Sequence, residues 1–551
     1  MPDLMTKDDA YDAIVVGAGA TGGVAAQTLA ARGLKVLVLD AGPQLNPGVV
    51  SQGKLWQGLQ RALNLLTRRQ SYQALHPGYW KANPRLFVNE QENPYSTPDD
   101  RPFYWIRGRQ VGGRSLTWGG ITLRLSDYEF KAALTDGYGQ PWPIGHQDLA
   151  PYYTQLERFF EVKGNRDGLP QLPDGDYAAI PQLTPAEEYL QGLVRQQGDD
   201  RTLIVSRGFA LHRQRGVWPR SSSLGSTLQA ALATGKVTIQ PDAVVSHLIF
   251  DPQTRQAQGV EYVHRIHKTL HGVRAKIIVF CASTIETVRI LLHSTEQYQP
   301  GGLVNASGVL GRNLMDHVST MQFFSLPQFQ QPNPVFDLSG CDSFFIPRFC
   351  NLSGDHSGQN ALDFLRGYGL WGGIQRVDLP PLLSQVGNEA IGFLVGCGEV
   401  LPHLDNHVRL SADRVDTWGI PVAHIDFTWR ENEYGMLAHM KSQIQDLIHR
   451  MGGRALHLSE LLRAPLLSGV LNRIEERSMS AARPGYYIHE VGGAPMGTNP
   501  EHSVVNELNQ CWESPNVLVV DGACWPSSGW QNPTLTEMAI TARACQLIKG
   551  F

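Results

Sequence analysis

The sequence lacks an excess of charge of either sign, since 47 lysines and arginines stand against 51 aspartates and glutamates. A protein that binds nucleic acid or an anionic membrane surface usually carries a clustered basic surface, and none is indicated by this balance. Apolar runs long enough to span a bilayer are also missing from the sequence. These absences favour chemistry on a small-molecule substrate, with no nucleic acid and no membrane span.

Cysteine is scarce as well. The seven cysteines are odd in number and widely scattered, at positions 281, 341, 350, 397, 511, 524 and 545. No C-x-x-C pair occurs, so the sequence offers no haem-attachment site, no iron–sulfur spacing and no metal site. Scattered cysteines fit a reduced compartment, which predicts a cytoplasmic protein. The first ten residues lack the apolar core of a secretion signal, although export together with a signal-bearing partner stays an alternative.

The chain opens with a pattern that predicts a strand, a helix and a second strand. Tyr11–Val16 is mostly apolar and leads into glycine, residues 20–32 are rich in alanine, and residues 35–39 form another apolar run. Gly33 is suited to end the helix because glycine accepts the left-handed backbone conformation. This βαβ unit predicts an α/β fold with a parallel sheet.

The length of 551 residues, with 42% apolar residues, suggests more than one domain. Apolar runs at residues 276–280 and 516–520 predict buried parallel strands at both ends of the chain. Between them the pattern changes to proline, glycine, aromatic residues and short strands. We therefore predict a Rossmann-like α/β domain and a second, mostly antiparallel domain. The first would comprise residues 1–325 and 482–551, and the second residues 326–481.

The same patterns predict several further elements. We expect a loop-rich excursion up to about residue 101 and an amphipathic helix over residues 148–162. A small antiparallel meander is predicted from residues 237–240, 244–250 and 259–263. Strands of the second domain are predicted at residues 392–395, 408–410 and 422–429.

The glycines after the first strand follow the G-x-G-x-x-G pattern, at Gly17, Gly19 and Gly22. In such a turn the glycines allow a tight bend, close approach of the backbone to a pyrophosphate, and packing of helix on strand. Asp40 ends the second strand, where a carboxylate can bind ribose hydroxyls. A glycine-rich loop without a ligand is the plainer alternative, and the pattern by itself does not separate FAD from NAD.

A second glycine cluster, RGRQVGGRSLTWGG at residues 107–120, separates these cofactors. It shows neither strand nor helix periodicity, and so many glycines indicate a backbone that approaches a ligand closely. A buried isoalloxazine ring and ribityl chain require such an approach, whereas a nicotinamide enzyme does not. The cluster therefore favours a flavin.

Several segments together resemble the glucose-methanol-choline (GMC) family of flavin oxidoreductases. They are, in order, VVGAGATGG with Asp40, GRQVGGRSLTWGG, CASTIETVRILL, GRNLMDH, HEVGGAPMG and VVDGACWPSSGWQNPTLTEMAITARA. Within the family the sequence is most similar to the bacterial sugar and polyol branch, which includes pyranose oxidase-like enzymes and the large subunits of gluconate and fructose dehydrogenases. The resemblance implies FAD, bound by the Rossmann-like domain, with the second domain covering the flavin.

The resemblance also implies roles for individual residues. Gly17, Gly19, Gly22 and Asp40 would hold the ADP half of FAD, and Val244 would offer backbone atoms to adenine. Asp521 would bind a ribityl or phosphate-linked hydroxyl. The residues implied along the pyrophosphate and flavin are Arg109, Gly112, Gly113, Ser115, Thr117 and Trp118, with Pro533 and Thr534 at the start of a helix predicted over residues 533–548.

Departures from the family pattern bear on the cofactor link and on the substrate. Thr117 stands where pyranose oxidase-like relatives place the histidine that joins the flavin covalently, so non-covalent FAD is expected. Pro495 and Trp118 also differ from many relatives, which implies an atypical substrate cavity. Trp371, Gln375 and Arg376 are candidates for a sugar pocket, although ordinary packing is the favoured interpretation.

A histidine and an asparagine near the C-terminus carry the predicted chemistry. An alcohol becomes a good hydride donor only as its hydroxyl proton leaves, so a base must reach that oxygen. Histidine suits this role because its usual pKa lies near neutrality; we assign it to His489, with Asn532 donating a hydrogen bond to the same oxygen. The plainer alternatives are a satisfied polar histidine and a helix N-cap followed by Pro533. His317 is expected to be structural.

We therefore predict an FAD-dependent enzyme that oxidises a hydroxyl of a sugar, glycoside or polyol by hydride transfer to flavin N5. A non-redox or light-driven flavin reaction is one alternative, since hydroxynitrile lyases and a photodecarboxylase share the family fold. An electron-transferring subunit with a small-subunit or cytochrome partner is another. The substrate, the oxidised carbon, the oligomeric state and the electron acceptor, whether oxygen, quinone or another, are left open.

Overall fold

The computed structural model describes residues 3–4, 11–51, 53–197, 200–209, 214, 216–251, 253–297, 304–332, 340–352, 362–377, 386–461, 475 and 483–549. Within them the strands are β1 (Asp3–Leu4), β2 (Tyr11–Val16), β3 (Val36–Leu39), β4 (Ile204–Val205), β5 (Val237–Gln240), β6 (Ala243–Asp251), β7 (Gln256–His264), β8 (Leu270–Phe280), β9 (Val318–Gln330), β10 (Phe344–Ile346), β11 (Tyr368–Ile374), β12 (Glu389–Gly398), β13 (His407–Val415), β14 (Pro421–Asp426), β15 (Arg454–Leu456), β16 (Gln510–Cys511) and β17 (Ser514–Val519).

The α-helices of the same ranges are α1 (Ala20–Ala31), α2 (Lys54–Leu66), α3 (Pro77–Lys81), α4 (Asp127–Phe130), α5 (Ala132–Asp136), α6 (His146–Phe160), α7 (Pro185–Gln196), α8 (Thr227–Ala233), α9 (Thr284–Gln297), α10 (Glu431–Arg450), α11 (Leu458–Leu461) and α12 (Thr534–Leu547). The helix predicted over residues 148–162 is α6, displaced by two residues at each end.

A nine-stranded sheet forms the first layer, and its parallel part has the order β17–β8–β2–β3–β5. The strands β2, β3 and β17 are rich in buried valine, leucine and isoleucine, as expected for strands covered on both faces. Gly33 follows α1 with a φ of +93° and donates its N–H to the carbonyl of Ala30. The predicted βαβ unit is therefore confirmed.

The meander prediction was partly wrong. Strands β6, β7 and β8 do pair in antiparallel fashion, but β5 runs parallel to β3, with Val237 beside Val36. β5 is the last strand of the sheet's main path and is only half-buried. Its sequence therefore alternates like a surface strand although it belongs to the parallel sheet.

A six-stranded antiparallel sheet forms the second layer, in the order β15–β9–β12–β11–β10–β4. Helix α10 packs against one face, where a Cβ on Gly396 would lie 2.1 Å from the sulfur of Met440. The strands predicted at residues 408–410 and 422–429 do not join this sheet, because β13 and β14 form a separate two-stranded sheet that packs on α9. The domain boundaries at residues 325 and 481 stay a prediction, and residue 481 lies outside the described residues.

The region before residue 101 was predicted to be loop-rich but contains helix α2. Its leucines recur every three or four residues, which is the helical period. They point outward instead of into a core: Leu55, Leu59 and Leu66 are 77%, 57% and 84% exposed. The region before residue 101 therefore contains a helix, α2, whose apolar side chains are exposed to solvent.

Candidate active site

A cavity of about 1380 Å³ lies between the two sheets and begins at the carboxyl ends of β2 and β3. Thirteen of the sixteen predicted site residues line it: Gly17, Gly19, Asp40, Arg109, Gly113, Ser115, Thr117, Trp118, His489, Asp521, Asn532, Pro533 and Thr534. Gly22 and Gly112 do not line it, but they contact residues that do: Gly22 packs on the carbonyl of Gly17, and the carbonyl of Gly112 accepts a hydrogen bond from Ser115 Oγ. The side chain of Val244 points away from the cavity and packs with Val263 and Trp418, whereas its neighbours Ala243 and Val245 line it.

The glycine turn is shaped so that backbone can approach a ligand. A Cβ on Gly17 would lie 2.3 Å from the carbonyl oxygen of Cys281, and one on Gly22 would lie 1.9 Å from the carbonyl oxygen of Gly17. Helix α1 begins here with no side-chain cap and no acidic residue in its first turn. Its amide groups and dipole therefore suit a phosphate.

Asp40 is fixed at the end of β3 by two backbone amides. Ala18 N donates to Oδ2 at 3.1 Å and Gly42 N donates to Oδ1 at 2.9 Å. Burial raises the pKa of this carboxyl, while the two hydrogen bonds and Arg109 oppose the rise. The carboxyl lines the cavity, where further lone pairs suit ribose hydroxyls.

Arg109 lies close to Asp40, at the end of the cavity opposite the expected flavin position. Its guanidinium stacks over Trp418 at 4.8 Å, and the charges of Asp40 and Asp416 act on it. Its Nε and Nη2 are buried and have no hydrogen-bond partner among the described residues. Buried donors without partners need an acceptor, so Arg109 suits the ribose or phosphate of the ADP half and not the flavin ring.

The second glycine cluster forms a short 3₁₀ turn, Gly113–Leu116, against the first. Gly112 and Gly113 have φ values of +95° and +50°, and a Cβ on Gly113 would lie 3.4 Å from Gly19 Cα. Trp118 is held by a hydrogen bond from its Nε1 to the carbonyl of Ser221 at 2.8 Å. Backbone and flat rings therefore line a long cavity, and the residues present fit FAD.

His489 and Asn532 meet at the other end of this cavity. Asn532 Nδ2 and His489 Nε2 are 3.4 Å apart, although the two residues are 43 positions apart in the sequence. Helix α12 starts at Thr534 without a side-chain cap, so the alternative that Asn532 caps this helix was wrong. The amide of Asn532 is thus directed to the histidine and not to the helix.

The surroundings of His489 keep its imidazole uncharged. Burial lowers the pKa of His489 well below its usual value, and His317, Arg114 and His76 lower it further. The ring lies 4.9 Å from that of His317 and 5.1 Å from that of Tyr487, and its Nδ1 has no partner within the described part of the chain. A neutral imidazole has a free lone pair, as a general base requires.

Asp316 is a site residue that the sequence reasoning missed. Its Oδ1 accepts a hydrogen bond from His489 N at 3.1 Å and its Oδ2 accepts one from Gly485 N at 2.9 Å. Burial, with the charge of Glu490, raises the pKa of Asp316 to about 7. The signal was present, because an aspartate precedes His317 in GRNLMDH, but its partner lies 173 residues away. His317, expected to be structural, packs beside His489 and burial lowers its pKa to about 4.

An arginine surrounded by carboxyls lies between the glycine turns and the histidine. Arg114 Nη1 is 2.8 Å from Glu490 Oε2, and its Nη2 donates to Ser283 Oγ at 2.7 Å. Burial and the charge of Asp521 raise the pKa of Glu537, in the first turn of α12, to about 8. Asp521, one of the predicted residues, lines the cavity here and accepts a hydrogen bond from Thr287 Oγ1 at 2.5 Å.

Of the three residues that the sequence offered as candidates for a sugar pocket, two line the cavity and one does not. Trp371 and Arg376 line the cavity, as part of a wall formed by the six-stranded sheet. Gln375 does not line it; its side chain accepts from Ala186 N and donates to the carbonyl of Gln330. Over the described ranges, no helix is long and apolar enough to cross a bilayer, and no group of His, Cys, Asp and Glu side chains could hold a metal ion.

Comparison with known families gives two matches, which together cover most of the chain. Two family models, both described as GMC oxidoreductase, match residues 11–319 and residues 402–541.

Curated relatives match over nearly the whole chain. The 2-methyl-1,2-propanediol dehydrogenase of Mycolicibacterium austroafricanum is 24% identical, over 98% of this chain and 95% of that protein. The fructose dehydrogenase large subunit of Gluconobacter japonicus is 26% identical over 98% and 97% of the two chains. The paromamine 6'-oxidase of Streptomyces fradiae is also 26% identical, over 100% and 93%.

Solved structures share the fold. Pyridoxine 4-oxidase from Mesorbium loti superposes with a TM-score of 0.60 at 18% identity, covering 97% of this chain and 98% of that one. A formate oxidase from Aspergillus oryzae gives a TM-score of 0.63 at 16% identity, covering 98% of both chains.

Proposed function

Because this chain belongs to the GMC oxidoreductase family, we propose that it uses FAD to oxidise a hydroxyl of a sugar, glycoside or polyol to a carbonyl. The names of the relatives support this substrate class, since they include a propanediol dehydrogenase, a fructose dehydrogenase large subunit and a paromamine 6'-oxidase. The reaction class is supported by the site itself, in which a neutral buried histidine lies beside an asparagine amide at one end of the cofactor cavity.

His489 and Asn532 both act on the oxygen atom of the substrate hydroxyl. His489 Nε2 takes the hydroxyl proton, while Asn532 Nδ2 donates a hydrogen bond to the same oxygen and holds the carbon in position. FAD, when bound here, would supply the acceptor for the hydride that leaves this carbon. Asp316 fixes the main chain of His489 through the amide hydrogen bond, so the imidazole does not have to be ordered during the reaction.

The experiment is anaerobic mixing of the FAD-loaded enzyme with a panel of sugars, glycosides, polyols and simple alcohols. We expect at least one of these compounds to bleach the flavin and to leave a carbonyl product that mass spectrometry detects. If none bleaches it while illumination produces turnover, the light-driven alternative replaces this proposal. The presence of both His489 and Asn532 favours alcohol oxidation over that alternative.

We also propose that FAD is held without a covalent bond. Thr117 replaces the histidine expected for a covalent link, and its hydroxyl donates to the carbonyl of Arg114 at 3.2 Å. Acid precipitation should therefore leave the yellow colour in the supernatant. Colour that stays with the precipitated protein would contradict this.

A second candidate function, electron transfer onward to a companion protein subunit, is favoured by the surface of α2. Five large apolar residues on this helix are more than half exposed, namely Leu55, Trp56, Leu59, Leu63 and Leu66. Soluble monomers rarely expose a contiguous apolar face, whereas interfaces do. The large-subunit name of the Gluconobacter relative supports the same proposal.

Purification of the protein from its native host tests whether the exposed face of α2 binds a companion subunit. We expect a second polypeptide in a fixed ratio to the wild-type chain, and its loss from the Leu59→Lys, Leu63→Lys double variant. Leu232→Lys, at a 40% exposed position on α8, is the matched control and should keep the partner. A chain that elutes alone, or as a pair of identical copies, would overturn the companion-subunit proposal.

We propose a cytoplasmic location, as predicted from cysteine usage. All seven cysteines are buried and none forms a disulfide, which supports a reducing compartment.

A further inference from the structure

One face of the six-stranded sheet forms the wall of the cavity opposite the glycine turns. Side chains alternate along a strand, and on β12 the residues Phe393, Val395 and Cys397 line the cavity. Gly396 and Gly398, in between, face the methionines of α10. The cavity face is therefore a flat platform, which we define as Ser319, Met321, Phe323, Phe345, Trp371, Phe393, Val395 and Cys397.

The strand register arranges the platform in three rows. Ser319 and Cys397 are paired in the first row, together with Gly369 of β11. Met321, Val395, Trp371 and Phe345 form the second row. Phe323 and Phe393 form the third, together with Gly373.

The first row lies beside the reaction site. Cys397 is hydrogen-bonded to Tyr487, and the Tyr487 ring is 5.1 Å from that of His489. A Cβ on Gly369 would lie 2.2 Å from the ring of Trp530, two residues before Asn532. Each further row is about 7 Å away along the strands, so the third row lies roughly 13 Å from the first.

The second and third rows are apolar and largely aromatic. Trp371 and Phe393 have ring centroids 5.0 Å apart, and those of Phe393 and Phe323 are 6.5 Å apart. The indole Nε1 of Trp371 donates to Ser343 Oγ at 2.9 Å. Beyond the third row the guanidinium of Arg376 is bound by both carboxylate oxygens of Glu187 at 2.8 Å. These two rows thus present rings and aliphatic groups, and the charge of Arg376 beyond them is neutralised by Glu187.

Such a wall discriminates between kinds of hydroxyl compound. A hydroxyl that leaves water without a hydrogen-bond partner is unfavourable in free energy, and a free sugar would place several hydroxyls against these rows. A flat apolar group gains from the same surface through burial and ring contacts. The polar group of a substrate therefore belongs at His489 and Asn532, and its apolar part along the rows.

We propose that the substrate is an aryl glycoside, with a sugar hydroxyl at His489 and a flat apolar aglycone over the second and third rows. This rests on the proposed function, since the same C–H bond breaks, its hydride passes to FAD and the hydroxyl proton passes to His489. The aglycone is chemically unchanged; it provides binding. The length of the platform fits an aglycone of one or two rings.

Anaerobic flavin reduction by phenyl β-D-glucoside and methyl β-D-glucoside tests the inference directly. Burying the phenyl ring should lower the half-saturating concentration at least about ten-fold relative to the methyl glycoside. Anisole, an aryl ether with no hydroxyl, should compete with the methyl glycoside without reducing the flavin. This second measurement reports binding to the platform and not turnover.

Val395→Thr places a hydroxyl in the middle row with little change in volume, and should reduce the phenyl-to-methyl advantage roughly three- to ten-fold. Val415→Thr makes the same change at a 55% exposed position of β13 and should leave the advantage unaltered. Equal half-saturation by the two glycosides, with flavin reduction intact and no competition by anisole, would overturn the aryl-glycoside proposal alone. No reduction by either glycoside or by any alcohol would overturn the proposed function with it.

Discussion

At the residue scale, the pKa of His489 is the property that most directly governs the proposed reaction. Burial and three neighbouring cationic or titratable groups lower this pKa well below 6.5, so the imidazole stays neutral as the solution becomes mildly acidic. We expect the limiting rate of flavin reduction to be constant between about pH 8 and pH 6, a range over which an unperturbed histidine would lose roughly three quarters of its base form. Stopped-flow measurement across this range checks it, and a rate that halves near pH 6.5 would contradict it.

A second prediction concerns the side chain of Asn532. Its amide holds the reacting oxygen, so Asn532→Ala should slow flavin reduction by about 10- to 100-fold, the equivalent of one buried hydrogen bond. Asn532→Ser, which keeps a donor, should recover part of the rate. If both variants reduce the flavin as fast as the wild type, the amide does not hold the oxygen.

The sequence was informative about the residues with chemical roles and less so about those that position them. His489, Asn532 and the glycine turn were found because their motifs are local. Asp316 was missed because its role consists of hydrogen bonds to backbone amides 169 and 173 residues away. Arg109 was expected along the pyrophosphate and flavin, and its position beside Asp40 could not be predicted, since position along a motif does not show which way a long side chain points.

At the scale of elements, the turn after His489 depends on close backbone approach. Gly492 has a φ of +90°, and a Cβ there would lie 2.1 Å from the carbonyl oxygen of Asn313. Gly33 has almost the same φ, +93°, but its Cβ would meet nothing within 4 Å. Gly33→Ala should lower the stability by about 1–2 kcal/mol for backbone strain alone, and Gly492→Ala should lower it by clearly more.

Thermal unfolding at one scan rate, with the two variants side by side, measures this difference. Equal losses of melting temperature would mean that the turn can relax away from Asn313. A larger loss for Gly492→Ala would show that the turn beside His489 has no room for a side chain.

Elements buried in the core were predictable from their own residues, whereas elements at the surface were not. The strand β2 and helix α1 agree with their predicted ranges to within one residue. β5 was given the wrong partner because a half-buried strand has the same alternation in a parallel sheet and in a meander. Helix α2 was missed because its leucines face outward, and proximity to glycine- and glutamine-rich sequence suggested loops.

At the scale of the whole molecule, buried carboxyls link stability to pH. Burial and nearby Glu129 raise the pKa of Glu399 to about 7, against the opposing charge of Arg348, whose Nη1 lies 3.2 Å away. A carboxyl whose pKa is raised by folding contributes stability below its ordinary pKa of 4.5, and this is lost as the pH rises through about 7. Glu399→Gln should therefore gain in melting temperature relative to the wild type as the pH rises from about 5 to about 8.

Glu188→Gln, at an exposed position of α7, is the control and should show a constant difference over the same range. A difference for Glu399→Gln that also stays constant would mean that Glu399 ionises as freely in the folded protein as in the unfolded chain.

The assembly of the site from distant segments could be anticipated only through the family resemblance. The cavity joins a turn at residue 17, a sheet face from residues 319–397 and a histidine at residue 489. Strand pairing over such separations is set by packing between sheets, and single-sequence patterns do not encode it. The aromatic platform was consequently not foreseen, although Trp371 and Arg376 had been noted as candidates.

The central claim is that His489 removes the hydroxyl proton as the hydride leaves for FAD. The most direct measurement is anaerobic flavin reduction by a substrate that bleaches the wild-type enzyme, repeated with His489→Ala at equal FAD content. We expect the limiting rate to fall by about 10²- to 10⁴-fold, the usual contribution of a general base, with FAD still bound. Reduction of the variant's flavin at the wild-type rate would contradict the account.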